Sequence, residues 1–134
     1  MERVFSKESE AKIEQLLNSY PDRQACLLPV LYLAQDEFGC LTDDVMALVA
    51  RRLELPPERV ANTATFYTMY DKQPVGKYHV QVCVNVPCFL RGSDRVLQAL
   101  EKELNIGPGE TTEDGLFTLS TVQCLAYCGA DSTI

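Results

Sequence analysis

Four cysteines fall in two close pairs, Cys83 with Cys88 (C-x4-C) and Cys124 with Cys128 (C-x3-C), with 35 residues between the pairs. Two thiolates that close on one loop can reach one metal centre, and two such loops supply four sulfur donors. That is the ligand set of a [2Fe–2S] cluster or of a structural zinc. Zinc knuckles use pairs two to four residues apart, so C-x4-C lies at the long edge of that range. A two-iron centre is a larger object, and the wider spacings suit it. Redox thiols or disulfides are a third reading, although the C-x-x-C of thioredoxin-type oxidoreductases is absent. Spacing alone ranks iron–sulfur first and zinc second, and leaves the metal open. Neither loop carries a side chain suited to acid–base chemistry, so the site is fit for electrons or for structure.

The elements around these loops read as strand, loop, helix, strand, loop. Tyr78, Val80, Val82 and Val84 alternate with His79, Gln81 and Cys83, the period of a β-strand. Ser93 is placed to cap a helix reaching about residue 104, with Val96, Leu97, Leu100 and Leu104 on one face. A second strand is expected over residues 116–121, after the Asp114-Gly115 turn. Both cysteine pairs thus leave strand ends, where α/β folds place their sites. An oxidised four-thiolate [2Fe–2S] centre carries a formal charge of about −2. The N-terminus of the helix after Ser93, with Arg91 just ahead of it, is expected to face that anion and favour its reduced form.

The first half reads as helices. Ile13, Leu16, Leu17 and Tyr20 share one face of a helix over residues 7–20, capped by Ser6 and stopped by Pro21. A second spans about 23–38 and ends at Gly39; Pro29 is best tolerated if it begins near residue 25 or 26. Thr42 caps a third over residues 43–53, and Pro56-Pro57 opens a short fourth over 58–64. Such helices with brief connections make a small bundle. The aromatic run from Phe66 to Tyr70 reads as core packing or as a partner surface. Cys26 and Cys40 have no paired neighbour: Cys26 reads as a buried inert thiol, and Cys40 takes no role. His79, the single histidine, sits in a strand pattern and is not expected to be a ligand. The 71–76 stretch is turn-rich and reads as a linker, giving a helical domain over 1–73 and a cysteine-bearing domain over 74–134.

The 134 residues carry a net charge of −7, and both halves are acidic, which argues against a nucleic-acid module. No run approaches the ~18 apolar residues of a membrane span, and the N-terminus has neither a signal peptide's apolar stretch nor a transit peptide's composition. A cytoplasmic, reducing location is the expectation, and there six cysteines favour metal or redox roles over disulfides. No G-x-G-x-x-G, P-loop or base–nucleophile pair is present.

The runs Ala64-Thr65-Phe66-Tyr67-Thr68-Met69-Tyr70, Val82-Cys83-Val84-Asn85-x-x-Cys88-x-Leu90-Arg91-Gly92, Gly107-Pro108-Gly109-Glu110-Thr111-Thr112 and Val122-Gln123-Cys124-Leu125-Ala126-Tyr127-Cys128-Gly129 carry a likeness over the whole chain, as does the segment from Leu28 to Gly39. The sequence resembles the small iron–sulfur subunit of NADH:ubiquinone oxidoreductase (complex I). Relatives of that subunit occur in NAD-linked hydrogenases and formate dehydrogenases. The resemblance implies an α+β protein with an N-terminal helical bundle followed by a thioredoxin-like α/β [2Fe–2S] ferredoxin domain. It implies cluster ligation by Cys83, Cys88, Cys124 and Cys128, with no catalytic residues of the chain's own. It further implies docking on a flavoprotein subunit that holds FMN and NADH, at the cytoplasmic face of a membrane without insertion. The rival from another class is a zinc-holding structural module. Two departures stand out. Tyr127 adds bulk where the family commonly has Gly-Ala before the last cysteine. The family also continues past that cysteine, so the domain is expected to be truncated here, leaving the helix after Ser93 and a sheet edge uncovered.

Overall fold

The computed structural model describes residues 3–128. Its mixed helix-and-strand content is the α+β class expected, and it divides into two compact units, Met1–Pro74 and Val75–Ile134.

The first unit consists of α1 (Lys7–Ser19), α2 (Leu27–Phe38), α3 (Asp43–Leu53) and α4 (Pro57–Phe66). Ser6 caps α1 by accepting the Ser9 amide at 3.2 Å. The second helix starts at Leu27, later than residue 23, because the Asp22 carboxylate takes the Ala25 amide at 2.8 Å and holds residues 22–26 in a turn. Pro29 then lies in the first helical turn, where its missing N–H leaves no intrahelical bond unmade. Thr42 occupies the cap position of α3, but its hydroxyl bonds the Asp44 carboxylate instead of a helix amide. Ile13, Val30, Leu31, Val49, Leu53 and Val60 are fully buried between these helices. Arg52 of α3 reaches Glu10 at 2.7 Å and also Glu14, tying α3 to α1.

The aromatic run does not behave as one patch. Tyr70 is core, its hydroxyl donating to the Leu28 carbonyl at 2.8 Å, whereas Phe66 stands exposed at the end of α4. Cys26 and Cys40 are both buried free thiols.

The second unit pairs β1 (Tyr78–Cys83) with β2 (Phe117–Val122) in parallel, from Tyr78 opposite Phe117 to Cys83 opposite Val122. A parallel pair needs a crossover, here supplied by α5 (Val86–Leu90) and α6 (Ser93–Leu104). The short α5 is not visible in the sequence pattern: five residues with Pro87 at the second position offer no period to read. Gly92, with φ +95°, occupies the cap of α6, and the expected cap Ser93 is instead its buried first residue. The apolar face of α6 is half-buried, while Val82, Leu119 and Val122 are buried at the sheet. His79 pairs across the strands with Ser120, Nε2 to Oγ 2.8 Å. The expectation about the closing residues, 129–134, lies outside the described residues, as does any strand they would form. Among the described residues no helix is long and apolar enough to cross a membrane.

Candidate metal centre

Parallel pairing brings the carboxyl ends of β1 and β2 to the same side, and the two cysteine loops begin there. Cys83 is the last residue of β1 and Cys124 lies two residues beyond the end of β2. The last pair of the ladder is closed by Val84 donating to the Val122 carbonyl at 2.9 Å. Asn85 then caps α5, its side-chain oxygen accepting the Val86 amide at 2.8 Å, and the single turn that follows carries Cys88 into a buried position. On the second loop Ala126 adopts a left-handed backbone, φ +54°, and its amide lies 3.2 Å from the Cys124 sulfur. Cys83 and Cys88 are buried, and Cys124 and Cys128 exposed.

All four sulfur-bearing residues named by the sequence line one cavity of about 90 Å³, together with Asn85, Pro87, Leu125, Ala126 and Tyr127. The lining contains no carboxylate and no imidazole, so sulfur is its principal donor. Among the described residues, no three His, Cys, Asp or Glu side chains gather as they would on a single ion.

The thiols affect one another. The Asn85 backbone amide, then the Cys88 thiol and the Leu125 amide, hold Cys83 below its ordinary pKa, against the opposing effect of burial. Cys88 is pushed up to about 11, first by its hydrogen bond to Cys83, then by burial and by the charges of Cys83, Cys128 and Cys124. A cationic centre removes the conflict between Cys83 and Cys88, because metal binding displaces the thiol protons. The cavity therefore fits an iron–sulfur cluster in donor type, number and electrostatics.

Neither Arg91 nor Ser93 is among the residues lining the cavity. Donors near sulfur are the backbone amides of Asn85, Leu125 and Ala126. Nothing in the side-chain sequence announces such donors, because every residue but proline carries one.

Comparison with known proteins agrees with this chemistry. The thioredoxin-like [2Fe–2S] ferredoxin family matches residues 13–132. An E-type subunit of NADH-quinone oxidoreductase from Rhizobium meliloti (strain 1021) is 46% identical over 117 residues, covering 87% of this chain and 70% of that protein. The E subunit of the same oxidoreductase from Rickettsia prowazekii (strain Madrid E) is 43% identical over 128 residues, 93% of this chain and 72% of that one. Among solved structures, an NAD+-reducing [NiFe]-hydrogenase in the H2-reduced state superposes with a TM-score of 0.60 at 25% identity. That match covers 74% of this chain and only 16% of the hydrogenase chain. The cofactor that goes with this kinship is a [2Fe–2S] cluster. Through a family match over most of its length and relatives above two-fifths identity, the chain belongs to the thioredoxin-like [2Fe–2S] ferredoxin family, in the group that includes the E subunits of NADH-quinone oxidoreductase.

Proposed function

We propose that this chain is an electron-carrying subunit of an NADH-oxidising complex of the NADH-quinone oxidoreductase type, with one [2Fe–2S] cluster held by Cys83, Cys88, Cys124 and Cys128. The observation that carries this reading is the single cavity shared by those four residues at the ends of two paired parallel strands. When bound, the cluster accepts and releases one electron at a time. Cys83 and Cys88 supply one pair of ligands from the β1 end, and Cys124 and Cys128 the other from the β2 end. The Asn85, Leu125 and Ala126 amides offset negative charge on the sulfurs, and Pro87, Leu125 and Tyr127 form the remaining wall.

Hydride chemistry belongs to a partner in this reading, a flavoprotein subunit holding FMN and NADH. The sequence has no nucleotide fingerprint. Val86, Phe89 and Leu90 on the first cysteine loop stand exposed, the composition of a surface that docks. We assign the helical unit, residues 1–73, to assembly and residues 74–134 to the cluster, at the cytoplasmic face of a membrane. Identity near 45% to quinone-linked subunits favours that complex over the hydrogenase type, whose match is 25%. Calorimetry with NADH tests the division of labour. The chain alone should give no binding heat, and a mixture with the flavoprotein subunit should. NADH binding by the isolated chain would contradict the reading.

A further inference from the structure

The second cysteine loop differs from the first in exposure. Cys83 and Cys88 are buried, but Cys124 and Cys128 are open to solvent. Tyr127 is the largest side chain lining the cavity on the 124–128 side. This residue is 64% exposed while still forming a stretch of the cavity wall, which puts it at the mouth. The left-handed backbone of Ala126, φ +54°, sets the direction in which the loop presents it.

We propose that Tyr127 is a tuning residue that holds the reduction potential of the cluster down by keeping water out of the cavity mouth. The inference rests on the four-cysteine ligation proposed above. Reduction delivers one electron from a solution reductant to one ferric iron, with no bond to the protein made or broken and no proton taken up. It adds negative charge to a centre that is already negative. Water at the mouth stabilises that extra charge, and an aromatic ring in its place does not. A small side chain at this position would leave the mouth open. Tyr127 thus makes this cluster a poorer electron acceptor and slows access by solutes.

The test uses the full chain with its cluster loaded, titrated with redox mediators and followed by electron paramagnetic resonance. A second readout is the rate at which a chelator bleaches the visible bands. Tyr127→Ala should shift the reduction equilibrium toward the reduced form by roughly tenfold, about 59 mV for a one-electron couple, and should bleach severalfold faster. Tyr127→Phe should match the unmutated protein in both. Tyr127→Leu should fall between, and it replaces the alanine variant if that one fails to keep iron. Unchanged potential and bleaching in Tyr127→Ala and Tyr127→Leu would overturn the proposal. So would a Tyr127→Phe shift as large as that of alanine, since the hydroxyl and not the ring would then be acting. An unmutated chain that binds no iron and sulfide would overturn the ligation as well, whereas iron bound normally with no effect of Tyr127 would overturn the tuning role alone.

Discussion

The amide of Val84 donates to the carbonyl oxygen of Val122 over 2.9 Å, the bond that closes the last pair in register, Cys83 opposite Val122. Cys83 immediately precedes the donor and Cys124 follows the acceptor by two residues. This one bond therefore fixes the spacing of the two cysteine loops. Val84→Pro removes the donor while leaving Cys83 in the extended conformation it already has. The bond itself contributes about 1 kcal/mol, but the larger effect is expected on the metal centre. Iron and labile sulfide per chain should fall well below the unmutated level in Val84→Pro and remain normal in Val84→Ala. Equal iron in the two variants would show that the rung does not hold the site.

Tyr70 links stability of the helical unit to pH. Burial, with Tyr32 and Tyr67 nearby, pushes its phenol up to about 12. The unfolded chain titrates at about 10. The folded value being the higher, the contribution of the neutral phenol is complete below about pH 10 and is lost as pH rises through about 12. Denaturation curves should show falling stability across that window. Tyr70→Phe should remove that component of the slope and cost about 1 kcal/mol near neutrality, through the lost bond to the Leu28 carbonyl. An identical alkaline slope in the phenylalanine variant would mean that another group titrates.

At Gly76 the backbone of the incoming chain passes against the segment before β2. A methyl group there would lie 2.8 Å from the Leu116 carbonyl carbon and oxygen and 2.9 Å from the Phe117 nitrogen. Gly76→Ala must push the backbones that open the parallel ladder away from each other, at a cost of about 1–3 kcal/mol. Gly107→Ala, whose methyl meets only the Glu110 carboxylate at 3.4 Å, should cost far less. Thermal unfolding of the two variants decides, and equal midpoints would contradict the close approach.

Ala126 holds a backbone that L-residues adopt at a cost of about 1–2 kcal/mol. Ala126→Gly relieves this, less the extra freedom of the unfolded glycine, for a net gain of about 0.5 kcal/mol. The relaxed loop should release iron to a chelator more slowly. Faster release would show that the methyl group packs usefully at Ala126.

Much of this organisation is legible in the residue pattern, for identifiable reasons. The stripe Val45, Leu48, Val49, Leu53 between Thr42 and Pro56 marks α3 at both ends, and the alternation from Tyr78 marks β1. The cysteine spacings announce a shared site, and all four residues line one cavity. What the pattern hides is set by backbone and by tertiary context. The start of α2 is decided by an Asp22 turn, and α5 is too short to carry a period. Gly92 takes the cap role that Ser93 is equipped for, because Ser93 is drawn into a buried position. The split of the aromatic run into a buried Tyr70 and an exposed Phe66 depends on where the chain turns after α4.

In the proposed function, four cysteines of this chain hold two irons and two sulfides. Visible and electron paramagnetic resonance spectra of the protein, read with its iron and labile-sulfide content, test it most directly. The unmutated chain and the Cys26→Ala and Cys40→Ala variants should be red-brown, should bleach on one-electron reduction, and should then show a paramagnetic signal. Alanine at Cys83, Cys88, Cys124 or Cys128 should abolish or severely weaken all three. A colourless protein carrying one zinc per chain, or a cluster that survives loss of those cysteines and disappears with Cys26, would contradict it.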